Sequence, residues 1–405
     1  MKHSISKEVI SNFANQFKVD KSKVSSSAQW SSFLSSGSHL WMDTGDISMI
    51  NQMWTNEFSA LTTNNTLLNN EVQKGEYDIV ISELASSLRY LQPDEQVKEI
   101  GLCINAIHGL RLARLFNCKV SVELHTDLAN DIEGTFNTGL RLFELCPDQF
   151  IVKVPFSSAG LIGARKLHDA GVPVNLTLCF SVRQNVIASL IAKPAYSNVF
   201  VGRVGAYFSN NGFKVENIAE KVCSETQKCL RKVNERGLSN TKLIAASIRN
   251  TDQLINLVGT DVLTIPAKIV DQTVKEDIYA KHSGITNYAN GKLDGAVEKQ
   301  LNLKHLWQIR NAEKEVAIHL AEKVPTNTTE LVNLFDHYGC HDIFPHFNED
   351  ELDHLNNDGK IPQHNKWSGR IENYEIGIDT ILNKAGLFAF MNDQKELDSR
   401  IKNLL

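Results

Sequence analysis

The chain has no excess of basic charge: 42 lysines and arginines stand against 47 aspartates and glutamates, a formal net charge of −5. No basic stripe is available to neutralise a phosphate backbone, so no nucleic-acid partner is expected. No apolar run approaches the ~20 residues that cross a bilayer, and residues 1–23 are polar, without the apolar centre of a signal peptide. No membrane association or export is therefore expected. There is no C-x-x-C pair. The seven cysteines stand singly at 103, 118, 146, 179, 223, 229 and 340, an odd and scattered set that fits reduced thiols in a cytoplasmic protein. Internal repeats and low-complexity tails are also missing.

What is present is an alternation. Short apolar runs at 40–43, 58–63, 119–124, 149–157, 172–180, 199–204, 242–247 and 262–266 read as strands. Helical patterns lie between them, at 47–54, 77–116, 131–145, 159–170, 182–192, 215–236, briefly after the seventh strand, and at 267–274. Strands alternating with helices imply a parallel sheet with helical crossovers, and eight is the number that closes a (β/α)8 barrel. A doubly wound open sheet is the alternative, but no Gly-x-Gly-x-x-Gly turn follows the first strand. Residues 1–37 read as an N-terminal helical prelude and 38–280 as the barrel. Residues 281–405 read as a mostly helical extension packed on it, with helices at 303–323 and 373–405 around a polar stretch.

The fourth strand carries an anomaly. In Gln149-Phe-Ile-Val-Lys-Val-Pro-Phe-Ser157, Lys153 sits among apolar residues, and a run of this kind closed by proline fits a strand buried on both faces. Desolvating an ammonium is costly, so a lysine held there gives up its proton more readily, and a neutral amine is a nucleophile. The alternative is a strand-end lysine that reaches solvent along its stem. The other strand ends are polar too, and in barrels the chemistry gathers at those ends. Asp43 ends the first strand and Thr62-Thr-Asn64 the second. Glu123 lies on the third, and Asn175 and Thr177 on the fifth. The sixth leads through Phe200 to Arg203, and the seventh to Ser247 and Arg249. Such a set has a chemical logic. A lysine forms an iminium with a ketone, and Asp43 serves as base for carbon–carbon cleavage. Glu123 and Thr177 hold a water, Asn64 and Asn175 bind hydroxyls, and two arginines bind a phosphate.

The motifs that carry these residues are Asp43-Thr-Gly-Asp-Ile47, Thr62-Thr-Asn64, Val120-Ser-Val-Glu123, Val152-Lys-Val-Pro155, Val174-Asn-Leu-Thr-Leu-Cys-Phe-Ser181, Phe200-Val-Gly-Arg203 and Ala246-Ser-Ile-Arg-Asn250. In order and spacing they resemble the transaldolase family over residues 38–275, and the stretch beginning at Phe390 is similar as well. The resemblance implies a (β/α)8 barrel using a lysine Schiff base without metal or organic cofactor. It assigns the Schiff base to Lys153, the acid/base role to Asp43, and the catalytic water to Glu123 and Thr177. Asn64 and Asn175 hold the dihydroxyacetone unit, with Ser197 or Asn198 at a further contact, and Arg203 and Arg249 bind phosphate; Phe200 and Ser247 complete the substrate set. The implied reaction moves dihydroxyacetone from sedoheptulose 7-phosphate or fructose 6-phosphate to glyceraldehyde 3-phosphate or erythrose 4-phosphate, within the pentose phosphate pathway. A homodimer is usual for the family. The alternative is a fructose-6-phosphate-aldolase-like enzyme, or one acting on a sulfonated or unphosphorylated ketose. In the aldolase subgroup a tyrosine tends to replace Phe200 and a glutamine Glu123, so both positions favour transfer.

Some positions depart from the family. Asn65 stands where proline is usual, Phe156-Ser157 replaces a smaller pair and is expected to narrow the site beside Lys153, and Ser197-Asn198-Val199 replaces a serine-proline lead. In the extension, His337, Cys340, His341, His346, Asp350 and His354 offer metal-ligating groups. Their spacing suits no common zinc motif, and the stretch reads as a polar surface segment or a flap over the barrel mouth. Trp367 reads as packing on a helix, with anchoring of such a flap as the alternative. Cys179 reads as an apolar filler.

Overall fold

The computed structural model describes residues 5–17, 24–281, 285 and 295–405. Eight strands form the centre: β1 (His39–Asp43), β2 (Phe58–Thr62), β3 (Lys119–Glu123), β4 (Phe150–Pro155), β5 (Val174–Thr177), β6 (Tyr196–Phe200), β7 (Lys242–Ala246) and β8 (Val262–Pro266). They pair in chain order, all parallel, and β8 returns to β1 to close a barrel. Before it come α1 (Lys7–Gln16) and α2 (Ala28–Ser35). Around it run α3 (Ile47–Met53), α4 (Asn65–Gln73), α5 (Asp78–Ser87), α6 (Pro93–Phe116), α7 (Ile132–Leu145), α8 (Ser158–Asp169), α9 (Val182–Ile191), α10 (Val201–Asn210), α11 (Ile218–Glu235), α12 (Thr251–Asn256) and α13 (Ala267–Lys275). This is the expected (β/α)8 architecture. Among the described residues no helix is long and apolar enough to cross a membrane.

Side chains alternate along each strand, so every second residue enters the barrel. Trp41 of β1 meets Tyr196 of β6 edge-on at 4.7 Å, and the hydroxyls of Thr62 and Thr264 lie 2.8 Å apart. The interior is thus a packed core rather than a pore. The polar inward positions gather toward the C-terminal ends of the strands, where Thr62 sits opposite Asp43.

Several boundaries differ from the sequence reading. β5 ends at Thr177 rather than 180, because Leu178 turns to φ +62° and leaves the ladder. β6 begins at Tyr196 and ends at Phe200; residues 201–204, read as strand, start α10. The pattern at 303–323 is two helices, α15 (Lys304–Trp307) and α16 (Asn311–Glu322), which follow α14 (Gly295–Gln300). They are separated where Glu313 accepts the Arg310 N–H at 2.7 Å at the start of α16. The polar stretch after 323 is helical in part: α17 (Thr328–His337), α18 (Glu349–Asp358) and α19 (Ser368–Glu372) precede α20 (Ile378–Lys402). Asn327 and Asn348 cap α17 and α18, a start signal that a search for apolar periodicity passes over. Among the described residues no three His, Cys, Asp or Glu side chains form a metal-binding group. Trp367 is buried, its ring edge-on to Phe347. Cys179 is buried, and burial pushes its thiol pKa up.

The extension is joined to the barrel by buried charge. Arg183 of α9 is fully enclosed and grips both oxygens of Asp379, at 2.8 Å each, near the start of α20. It also bonds Glu313 at 3.1 Å and Asp342, while Arg310 bonds Asp342 at 2.6 Å. Burial works against the Asp379 carboxylate, yet the facing charges, Arg183 first, bring its pKa down to about 2. His305, 3.4 Å from Asp379, is driven by burial down to about 4 and is neutral in the folded protein.

Two outcomes follow for this network. Arg183→Met leaves buried carboxylates unpaired and is expected to lower unfolding free energy by roughly 3–5 kcal/mol in urea titrations. His305→Gln removes a base whose folded pKa lies below its unfolded value. Wild-type stability carries that term in full above pH ~6.5 and loses it as pH falls toward 4. The stability gap between wild type and His305→Gln should therefore narrow by roughly 2 kcal/mol between pH 7.5 and 4.5.

Candidate active site

The barrel register sets Glu123 opposite Lys153 and Lys153 opposite Asn175. The Lys153 Nζ lies 3.4 Å from Glu123 Oε2 and donates to the Thr63 carbonyl at 3.3 Å. Glu123 also accepts the Asn65 N–H at 3.3 Å. Both side chains are almost fully enclosed, at 3% and 4% exposure. Burial raises the Glu123 pKa, and Lys153 is the main influence against it. Asp43, at the end of β1, is pushed up to about 6, chiefly by burial; Lys153 pulls it down and Glu123 reinforces the rise.

A row of amides lies beside the lysine. Asn175 donates to Ser121 Oγ at 3.0 Å, and Asn198 donates to Asn175 Oδ1 at 3.4 Å, which leaves Asn198 Oδ1 without a partner. Thr177 follows on the face of Asn175; its hydroxyl is buried and has no hydrogen-bond partner among the described residues. Asn64 accepts the Leu67 N–H at 2.8 Å as the N-cap of α4 and also lines the cavity.

The cationic end of the cavity is built by α10 and the turn after β7. Arg203 lies in the first turn of α10, not on β6, its guanidinium between the rings of Phe200 and Phe390 at 5.0 and 5.3 Å. Burial lowers its pKa to about 10, with the like charge of Arg249 next. Gly202 makes the arrangement possible: a Cβ there would lie 1.9 Å from the Ser247 carbonyl oxygen and 2.6 Å from the Arg249 side chain. Ser247 is held at φ +63°. Asp43, Asn64, Lys153, Asn175, Asn198, Phe200, Arg203, Ser247 and Arg249 line one cavity, while Glu123 and Thr177 lie beneath its surface.

Two sequence readings are corrected here. Ser197 alternates with Asn198 and Phe200 on β6, so it faces the helix layer and lines no part of the cavity. Phe156 does not narrow the site beside Lys153, because it stacks on Phe344 of the extension at 5.7 Å. Asn65 is more than a substituted turn residue. Its N–H reaches Glu123, and proline there would have none. Sequence reasoning gave no role to Phe390, whose ring centre lies 5.5 Å from the Lys153 Nζ, although similarity of the tail was a signal. Lys360, which also lines the cavity, left no signal at all, being a lysine in a polar turn. Gly202→Ala is expected to cost about 1–3 kcal/mol in chemical unfolding, as the added methyl displaces Ser247 and Arg249.

Comparison with known proteins agrees with this geometry. A family model described as Transaldolase/Fructose-6-phosphate aldolase matches residues 40–336, past residue 275, where the recognisable motifs end. A transaldolase of Prochlorococcus marinus subsp. pastoris is 28% identical over 250 residues, covering 58% of this chain and 73% of that protein. A transaldolase of Protochlamydia amoebophila is 26% identical over 278 residues, covering 65% and 80%. One of Gloeobacter violaceus is 25% identical over 246 residues, covering 58% and 62%. With most of its length matched and its barrel closed around an enclosed lysine, this chain belongs to the transaldolase/fructose-6-phosphate aldolase family and is an enzyme of the transferase class with a transaldolase-type function.

Proposed function

We propose that the chain transfers a dihydroxyacetone unit from a ketose phosphate to an aldose phosphate through a Schiff base on Lys153. The observation that carries this reading is one cavity in which Lys153, paired with Glu123, shares the space with Asp43 and with Arg203 and Arg249. The Lys153 amine attacks the ketose carbonyl carbon, C2, to give a carbinolamine. Loss of its oxygen as water, with Glu123 supplying the proton, leaves an iminium. Asp43 then takes the proton of the C4 hydroxyl. The C3–C4 bond breaks, its electron pair flows into the iminium as an enamine, and C4 departs as the aldehyde carbon of an aldose. The enamine carbon adds to an incoming aldehyde, and Asp43 returns its proton to the new alkoxide. Water held between Glu123 and the Thr177 hydroxyl hydrolyses the iminium and frees the product.

The environment suits these roles. A carboxyl with a pKa near 6 can both accept and return a proton near neutral pH. Asn64, Asn175 and Asn198 offer amide groups to the sugar hydroxyls. Arg203 Nη1 has no partner among the described residues, and a guanidinium matches a phosphate face with parallel donors. Phe200 places no phenol beside the water, in keeping with transfer rather than free aldol cleavage.

The test is steady-state turnover of fructose 6-phosphate with and without erythrose 4-phosphate. Turnover should require the acceptor; an unchanged rate without it would make the chain a free aldolase. Asp43 must be ionised to take a proton, so kcat/KM should fall as pH drops through about 6. Asp43→Asn should lose roughly 10²–10⁴-fold in kcat and its low-pH limb.

A further inference from the structure

We propose that Lys360 of the C-terminal extension is a third cation for the substrate phosphate, so that the extension helps set the preference for phosphorylated sugars. This deepens the transfer reading above and rests on it for the identity of the phosphate's carrier.

The first argument is charge. Arg203, Arg249 and Lys360 line the same cavity, and among the described residues none of the three forms an ion pair with a carboxylate. Two cations that follow in the extension are paired instead, Lys366 with Asp358 at 2.6 Å and Arg370 with Glu351 at 2.8 Å. The like charge of Arg249 also works against the charge of Arg203. Asp43, Glu123 and Asp393 act on Arg203 from a distance, but among the described residues none of them is ion-paired with any of the three cations. Cations without direct partners around one pocket favour a multiply charged anion, and a phosphate monoester carries close to two negative charges at pH 7.

The second argument is the way the segment is held. Helix α18 ends at Gly359, whose φ of +72° favours glycine, and Lys360 follows directly. Beyond it the chain is fixed to α10, the helix that carries Arg203. Asn211, at the C-terminal end of α10, donates to the Pro362 carbonyl at 3.0 Å and accepts the His364 N–H at 2.8 Å. Tyr207 of α10 pairs its hydroxyl with His364 Nδ1 at 2.8 Å. Asp358 accepts the Gln363 N–H at 3.0 Å, closing the turn. The backbone around Lys360 is thereby tied to the helix of the buried arginine, while its exposed side chain keeps enough freedom to settle on an entering anion.

The third argument is order of depth. Arg203 is buried and sandwiched between rings, whereas Arg249 and Lys360 are exposed. A phosphate arriving from solvent would meet the mobile lysine and Arg249 first and reach the fixed Arg203 last. A lysine suits the outer position, being a point charge on a flexible stem.

The experiment uses the full chain and the variants Lys360→Ala, Lys360→Arg and, as a reference, Arg249→Ala. Lys360 is exposed and forms no ion pair among the described residues, so its removal should leave the far-ultraviolet spectrum and melting temperature unchanged. Calorimetric titration with inorganic phosphate should show roughly five- to tenfold weaker binding in Lys360→Ala. KM for fructose 6-phosphate should rise by a similar factor with kcat within twofold. KM for fructose, the same ketose without its phosphate, should not move, and Lys360→Arg should recover most of the loss. Unchanged phosphate affinity and KM in Lys360→Ala, with both weakened in Arg249→Ala, would overturn the proposal. So would an equal loss toward fructose that arginine does not repair, which marks a structural role. Weakened phosphate binding in an enzyme that turns over no ketose would leave this site standing and remove the transfer reading instead.

Discussion

Lys153 and Glu123 lie 3.4 Å apart with hardly any exposure, and much of the barrel can be understood as the means of holding that pair. Each ion leaves water at a cost of several kcal/mol. The cost is offset only if partners are fixed in place. The parallel register sets the two residues side by side on β3 and β4, the Thr63 carbonyl takes one lysine proton, and the Asn65 N–H supports the carboxylate. None of these partners is adjacent to Lys153 in sequence. They converge because a closed eight-stranded barrel brings the C-terminal ends of its strands to one place.

Charge placed there acts on its neighbours. The enclosure that isolates the pair also lifts Asp43 to about 6, toward the pH at which proton exchange is easy. Arg203 is brought into the same field by α10, and the extension lines the same cavity through Phe390 and Lys360. The extension is held by a second set of buried ions, centred on Arg183 and Asp379, so the long α20 begins from a fixed point on α9. That anchoring positions Phe390 over both Lys153 and Arg203.

The eight strands and most of the site are legible in the sequence for a physical reason. A parallel strand covered by helices is apolar on both faces, so each inward polar residue stands out against its run; Lys153, Glu123 and Asn175 are found this way. Legibility fails where a side chain reaches the cavity by another route. Arg203 follows an apolar Phe-Val-Gly that reads as strand, and only the close approach of Gly202 to Ser247 shows why the chain turns into helix. Ser197 and Asn198 are adjacent and both polar, and only the register decides which one faces inward. Lys360 and Asn65 act through tertiary position and a backbone N–H, neither of which leaves a mark in residue type.

Borohydride reduction in the presence of fructose 6-phosphate, followed by intact mass and peptide mapping, tests the role of the buried lysine most directly. The expected result is a reduced dihydroxyacetone or hexose adduct on Lys153, absent in Lys153→Ala. A folded wild-type protein that turns over the sugar yet yields no adduct, or yields one on another lysine, would contradict Schiff-base chemistry at Lys153.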